Sequence, residues 1–63
     1  MINTALCFIA DVQPGDVIEL DPDDFGTVES IHRDAARSIY IVFIVGDKIP
    51  VYFAFTDDVL VKV

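Results

Sequence analysis

The chain has 63 residues, eleven of them carboxylates against four lysines or arginines, for a net charge of −7 and a pI near 4.1. That length leaves room for one core and excludes a second domain, and the acidic balance disfavours direct contact with nucleic-acid phosphates. A single cysteine, Cys7, excludes an internal disulfide and, without a Cys/His cluster, a structural zinc ion, while the apolar run 38–45 is far short of the ~20 residues of a membrane-spanning helix.

The turn signals then cut the chain into pieces of strand length. Residues 6–10 read as a first strand that ends at Pro14-Gly15, because Pro14 has no N–H for a ladder. In residues 16–20, Ile18 and Leu20 share one face and Val17 and Glu19 the other. Residues 21–26 read as a loop by composition, followed by a strand over 27–33. There Val28 and Ile31 stand three apart, so a bulge or bend near Glu29-Ser30 is needed to put both on one face.

Residues 34–37 make a tight connection into 39–45, the most β-prone segment of the chain. Gly46-Asp47 reads as a two-residue hairpin turn leading into 49–55, where Ile49, Val51, Phe53 and Phe55 alternate. Thr56-Asp57-Asp58 favours a turn, and 59–63 is a last strand. No helix of ordinary length fits. The expected fold is all-β, one domain over 1–63, with residues 1–11 as an extra N-terminal strand.

The hairpin 39–55 carries the main functional expectation. A turn at Gly46-Asp47 pairs Val45 with Lys48 and sets Tyr40, Val42 and Ile44 on the same face as Phe53, Val51 and Ile49. The opposite face then bears Ile39, Ile41 and Phe43 beside Pro50, Tyr52 and Ala54. One core absorbs only one such face, and with 54% hydrophobic residues and a mean hydropathy of +0.55 the second is expected to be a homodimer interface. The alternative is that the N-terminal strand covers it, with Leu6, Phe8 and Ala10 as a lid.

Other constellations read as structural. Residues 21–26 place Asp and Gly as a calcium loop does, but Phe25 stands at a ligand position and His32 where a glutamate belongs, so a solvated turn is preferred. His32 has no metal-ligand partner or nucleophile motif and is expected to be exposed. Cys7, in an apolar run without a basic neighbour, is expected to pack as a small hydrophobe. No cofactor, metal site or catalytic group is expected.

The order Val12-x-Pro14-Gly15-Asp16-x-Ile18, a loop, Gly26-Thr27-Val28-x-x-Ile31, a long apolar strand, a Gly46-Asp47 turn, another strand, Asp57-Asp58 and a final strand resembles the SH3-like small β-barrel in its KOW and Tudor-type versions. The resemblance implies a small barrel of five to six short antiparallel strands. Tudor-type relatives bind methylated side chains in aromatic cages, for which Phe25, Tyr40, Tyr52 and Phe53 supply material, although most of these are needed for the core. The stretch Ala10-Asp11-Val12-Gln13-Pro14-Gly15-Asp16-Val17-Ile18-Glu19-Leu20 also looks like small accessory proteins of actinobacteriophages, which implies a role in a host cytoplasm.

These readings favour a non-enzymatic interaction module whose partner presents a basic surface to the loop acids Asp21, Asp23, Asp24, Asp57 and Asp58. Two alternatives are an acidic DNA mimic that occupies the site of a nucleic-acid-binding protein and an assembly component of a phage particle. Without an apolar N-terminal stretch led by basic residues, the cytoplasm is the expected compartment.

Overall fold

The computed structural model describes residues 3–63; Met1 and Ile2, the first of the eleven assigned to an N-terminal strand, lie outside the described residues. Six strands form one antiparallel sheet: β1 (Thr4–Phe8), β2 (Val17–Asp21), β3 (Asp24–Asp34), β4 (Ile39–Ile44), β5 (Val51–Ala54) and β6 (Asp58–Lys62). Their order is β1-β6-β2-β3-β4-β5, so β1 and β5 are its two edges and the sheet is not closed. A 3₁₀ turn at Ile9–Asp11 follows β1.

Alternation decides which face is inside. Ile9, Val12, Ile18, Val28, Val42, Ile44, Val59 and Val61 form the buried core, with Cys7, Leu20, Ile31, Tyr40, Val51 and Phe53 packed against it. Ile18 and Leu20 therefore face inward as their spacing requires, and Cys7 packs as a small hydrophobe. The bend in β3 lies where Val28 and Ile31 demand it. Val28 faces Ile44 but Ser30 faces Phe43, so Glu29 is the extra residue that returns Ile31 to the core side.

The hairpin register also follows the sequence. Tyr40 faces Phe53, Ile41 faces Tyr52 and Val42 faces Val51. The turn itself differs. Val45 and Gly46 are its central residues, closed by the Asp47 N–H donating to the Ile44 carbonyl at 3.0 Å, with Gly46 at φ +85°. That bond occupies the carbonyl Ile49 would use in a longer ladder, so β5 starts at Val51 and Ile49, expected inside, is 79% exposed.

Other boundaries move as well. β1 covers Thr4–Phe8 rather than 6–10, because the chain must turn at Ile9 to drive that side chain, fully buried, into the core. The 21–26 loop shrinks to a tight turn around Pro22-Asp23, since Asp23 takes a left-handed conformation at φ +64° and lets β3 resume at Asp24. β6 begins one residue early, at Asp58.

Candidate functional site

The outer face of β3-β4-β5 is built by strand periodicity alone. Residues that alternate with the buried Val42 and Ile44 must point away from the core, and these are Ile39, Ile41 and Phe43. On one side Ile41 faces Tyr52 and Ile39 faces Ala54 across β5. On the other, Phe43 faces Ser30, Ile41 faces His32 and Ile39 faces Asp34 across β3. An apolar column thus runs between a polar column and a mixed one. Ile39, Ile41, Phe43 and Pro50 are half-buried by their neighbours and Tyr52 is 58% exposed.

His32 lies in this face as an exposed residue. Its Nε2 is 3.3 Å from Ser30 Oγ, and its ring meets Phe43 edge-on at 5.6 Å between centroids. The β3 column was not legible from the hairpin alone, because it depends on the β3–β4 register. Val45 and Ile49, both exposed, carry the apolar surface past the end of the ladder.

The lid alternative is overturned by strand order. β1 pairs with β6, at the sheet edge opposite β5, and Leu6, Phe8 and Ala10 are all exposed there. β1 therefore covers no part of the Ile39, Ile41 and Phe43 face.

The five loop acids fall in two turns, with Asp21, Asp23 and Asp24 at the β2–β3 turn, where Asp21 faces Asp24, and Asp57 and Asp58 at the β5–β6 turn. β2 and β6 run antiparallel with Ile18 opposite Val61, and Asp21 and Asp58 each lie three residues beyond that point toward the same end. Asp57 precedes β6 and lies beside Ala54, which shares a row with Ile39 and Asp34. Among the described residues the single ion pair is Asp34–Arg37 at 3.6 Å, at the opposite end of β3 from Asp24. Lys62, at the other end of β6, stands over the Phe25 ring at 4.7 Å, and Arg33 over Phe55 at 4.7 Å. No described cation therefore pairs with these acids. Asp57 has a structural task besides, since its Oδ2 accepts the Ala54 N–H at 2.8 Å.

Two further constellations do not assemble. Phe53 and Tyr40 face each other on the core side, whereas Tyr52 points outward and Phe25 lies under Lys62, so the four aromatics form no cage. The calcium-loop pattern fails because Asp24–Asp34 is strand and His32 stands well along it. Among the described residues there is no group of three potential metal ligands and no pocket. Compared with family models, curated proteins and solved structures, the chain matches none.

Proposed function

We propose that the chain is a non-enzymatic protein-interaction module that self-associates through the outer face of its β4–β5 hairpin and meets a basic protein surface with its acidic turns. The observation that carries this reading is the apolar column Ile39, Ile41 and Phe43 with Tyr52, which faces away from the core and which β1 does not cover. Burying it against a second copy about a two-fold axis removes it from water without a foreign partner.

The SH3-like small barrel is the parent fold in this reading. Five strands contiguous in the sheet, β6-β2-β3-β4-β5, with β1 added outside them on β6, support a five-strand unit plus one. The likeness to actinobacteriophage accessory proteins then makes a host cytoplasmic protein the partner.

The test is mass in solution. By light scattering at micromolar concentration the protein should be larger than one chain, and Tyr52→Lys should reduce that mass while leaving the far-UV circular dichroism of the folded sheet unchanged. A wild-type protein that stays monomeric, or a Tyr52→Lys variant of unchanged mass, would remove the hairpin face from the reading.

A second reading, mimicry of DNA, is favoured by the clustering of Asp21, Asp23 and Asp24 in one tight turn, with Asp57 and Asp58 in another, where carboxylates can stand in for phosphates in a basic groove. Duplex DNA that displaces the protein from its captured partner would select it over simple docking. A role as an assembly component of a phage particle would instead place the protein in purified virions.

A further inference from the structure

The two edges of the sheet differ in a way that identifies a second contact. At β5, pairing with β4 uses the backbone groups of Val51 and Phe53, because the Phe55 N–H donates to the Ser38 carbonyl in the same phase. Pro50, Tyr52 and Ala54 therefore face the free side. Pro50 has no N–H and the Ala54 N–H is taken by Asp57 Oδ2, which leaves Tyr52 alone with an outward donor. This edge is blocked, by devices that sheet proteins use against unwanted pairing.

β1 has none of them. The Ile9 N–H donates to the Asp57 carbonyl and the Val63 N–H to the Asn3 carbonyl, so the odd-numbered residues bond β6 while Thr4, Leu6 and Phe8 turn their N–H and C=O groups to the free side. The strand Thr4–Phe8 contains no charge, no proline and no bulge, and Leu6 and Phe8 are 67% and 62% exposed.

We propose that this edge pairs with the β1 edge of a second copy, antiparallel about a two-fold axis through Leu6. That register sets Leu6 against the partner's Leu6 and Thr4 against the partner's Phe8, and each of the three facing pairs exchanges two backbone hydrogen bonds. Moving the axis to Cys7 or Ala5 loses one of those pairs.

The side chains agree with this register. Leu6 already faces Leu60 within the subunit, so pairing sets four leucines in a row across the joined sheet. Phe8 lies beside Asp58 and Thr4 beside Lys62. Antiparallel pairing therefore ends each flanking row with Asp58 of one copy and Lys62 of the other, where parallel pairing would repeat like charges. At three strand spacings, roughly 14 Å, this charge term is screened and sets orientation more than affinity. The contact is independent of the hairpin face, and a chain with both contacts builds assemblies larger than a dimer.

The axis through Leu6 gives a direct test by sedimentation velocity, run in the Tyr52→Lys background so that the hairpin face does not contribute. Leu6→Lys and Leu6→Glu each place a charge against itself and should weaken self-association at least about tenfold, whereas an equimolar mixture of the two should associate within about threefold of the Leu6 protein. Hydrogen exchange provides a readout without substitution at Leu6. In the same background, the Leu6 and Phe8 amides should gain protection as protein concentration rises.

Unchanged association of Leu6→Lys, a mixture that stays apart, or Leu6 and Phe8 exchange independent of concentration would each overturn the edge contact. Failure of the two readings is distinguishable. Loss of mass in wild-type protein on Leu6→Lys but not on Tyr52→Lys leaves the edge and removes the hairpin face, and the reverse pattern removes the edge.

Discussion

Replacing Gly26 by alanine tests whether the core is as closely packed as its geometry requires. Gly26 faces Ile18 across the β2–β3 ladder and points inward, where an added Cβ would lie 2.6 Å from Ile44 Cγ2 and 2.9 Å from Leu20 Cδ1. Carbon atoms in contact sit ~3.5–4.0 Å apart, so the methyl group overlaps Ile44 by about 1 Å. Leu20 meets it with the end of a flexible side chain, but Ile44 is 2% exposed and β-branched, so its Cγ2 is fixed by a stiff χ1 and moves only with the backbone.

Overpacking of this kind costs about 1–3 kcal/mol, and the lower entropy of the unfolded alanine chain returns about 0.4–1 kcal/mol. The net expectation is a loss of about 1–2 kcal/mol. For a domain of this size that lowers the melting temperature by roughly 5–15 °C and reduces the urea midpoint with little change in slope. In an Ile44→Ala background Cγ2 is gone, and the same substitution should cost at least about 1 kcal/mol less than in the wild type. A Gly26→Ala protein as stable as wild type, or equal costs in the two backgrounds, would refute the packing argument.

Asp57→Ala removes the acceptor of the Ala54 N–H and should destabilise by about 1 kcal/mol in urea titrations, whereas Asp57→Asn, which keeps an acceptor oxygen, should lose less. Gly46→Ala meets no neighbouring atom, so its cost is conformational alone; at φ +85° it should be about 1 kcal/mol, read as a fall in melting temperature. Changing Asp21, Asp23, Asp24, Asp57 and Asp58 together to asparagine should abolish salt-sensitive capture of a basic partner while leaving self-association by light scattering intact; capture unchanged by the five substitutions would remove these residues from the partner site.

Local spacing carried the parts of the fold that depend on neighbours in sequence. The β4–β5 register was legible because a single Gly-containing turn and unbroken alternation leave one pairing that buries Val42 against Val51. The bulge at Glu29 was legible because Val28 and Ile31 share a core only if one residue is inserted between them. What escaped is set by distant partners or by competition for one backbone group. The extent of β1 follows from pairing with β6, fifty or more residues away, and from the burial of Ile9, neither of which the apolar run 6–10 specifies. Ile49 alternates correctly in sequence but loses its acceptor, the Ile44 carbonyl, to Asp47. The apolar column Ile39, Ile41 and Phe43 was visible in the alternation. Its flank of Ser30, His32 and Asp34, and the pairing of Ile18 with Val61, required the order of strands.

The position of β6 ties the first and last described strands to a common fate. It is the last of the six described strands, yet it lies between β1 and β2, the first two, and among the described residues β1 has no other strand beside it. During synthesis β2, β3, β4 and β5 can zip up in succession, each onto its predecessor, while β1 waits without a neighbour until β6 arrives as the keystone. Weakening β6 would accordingly set β1 loose as well, so replacing Val59 or Val61 by alanine should be felt some fifty residues upstream, as faster amide exchange in β1.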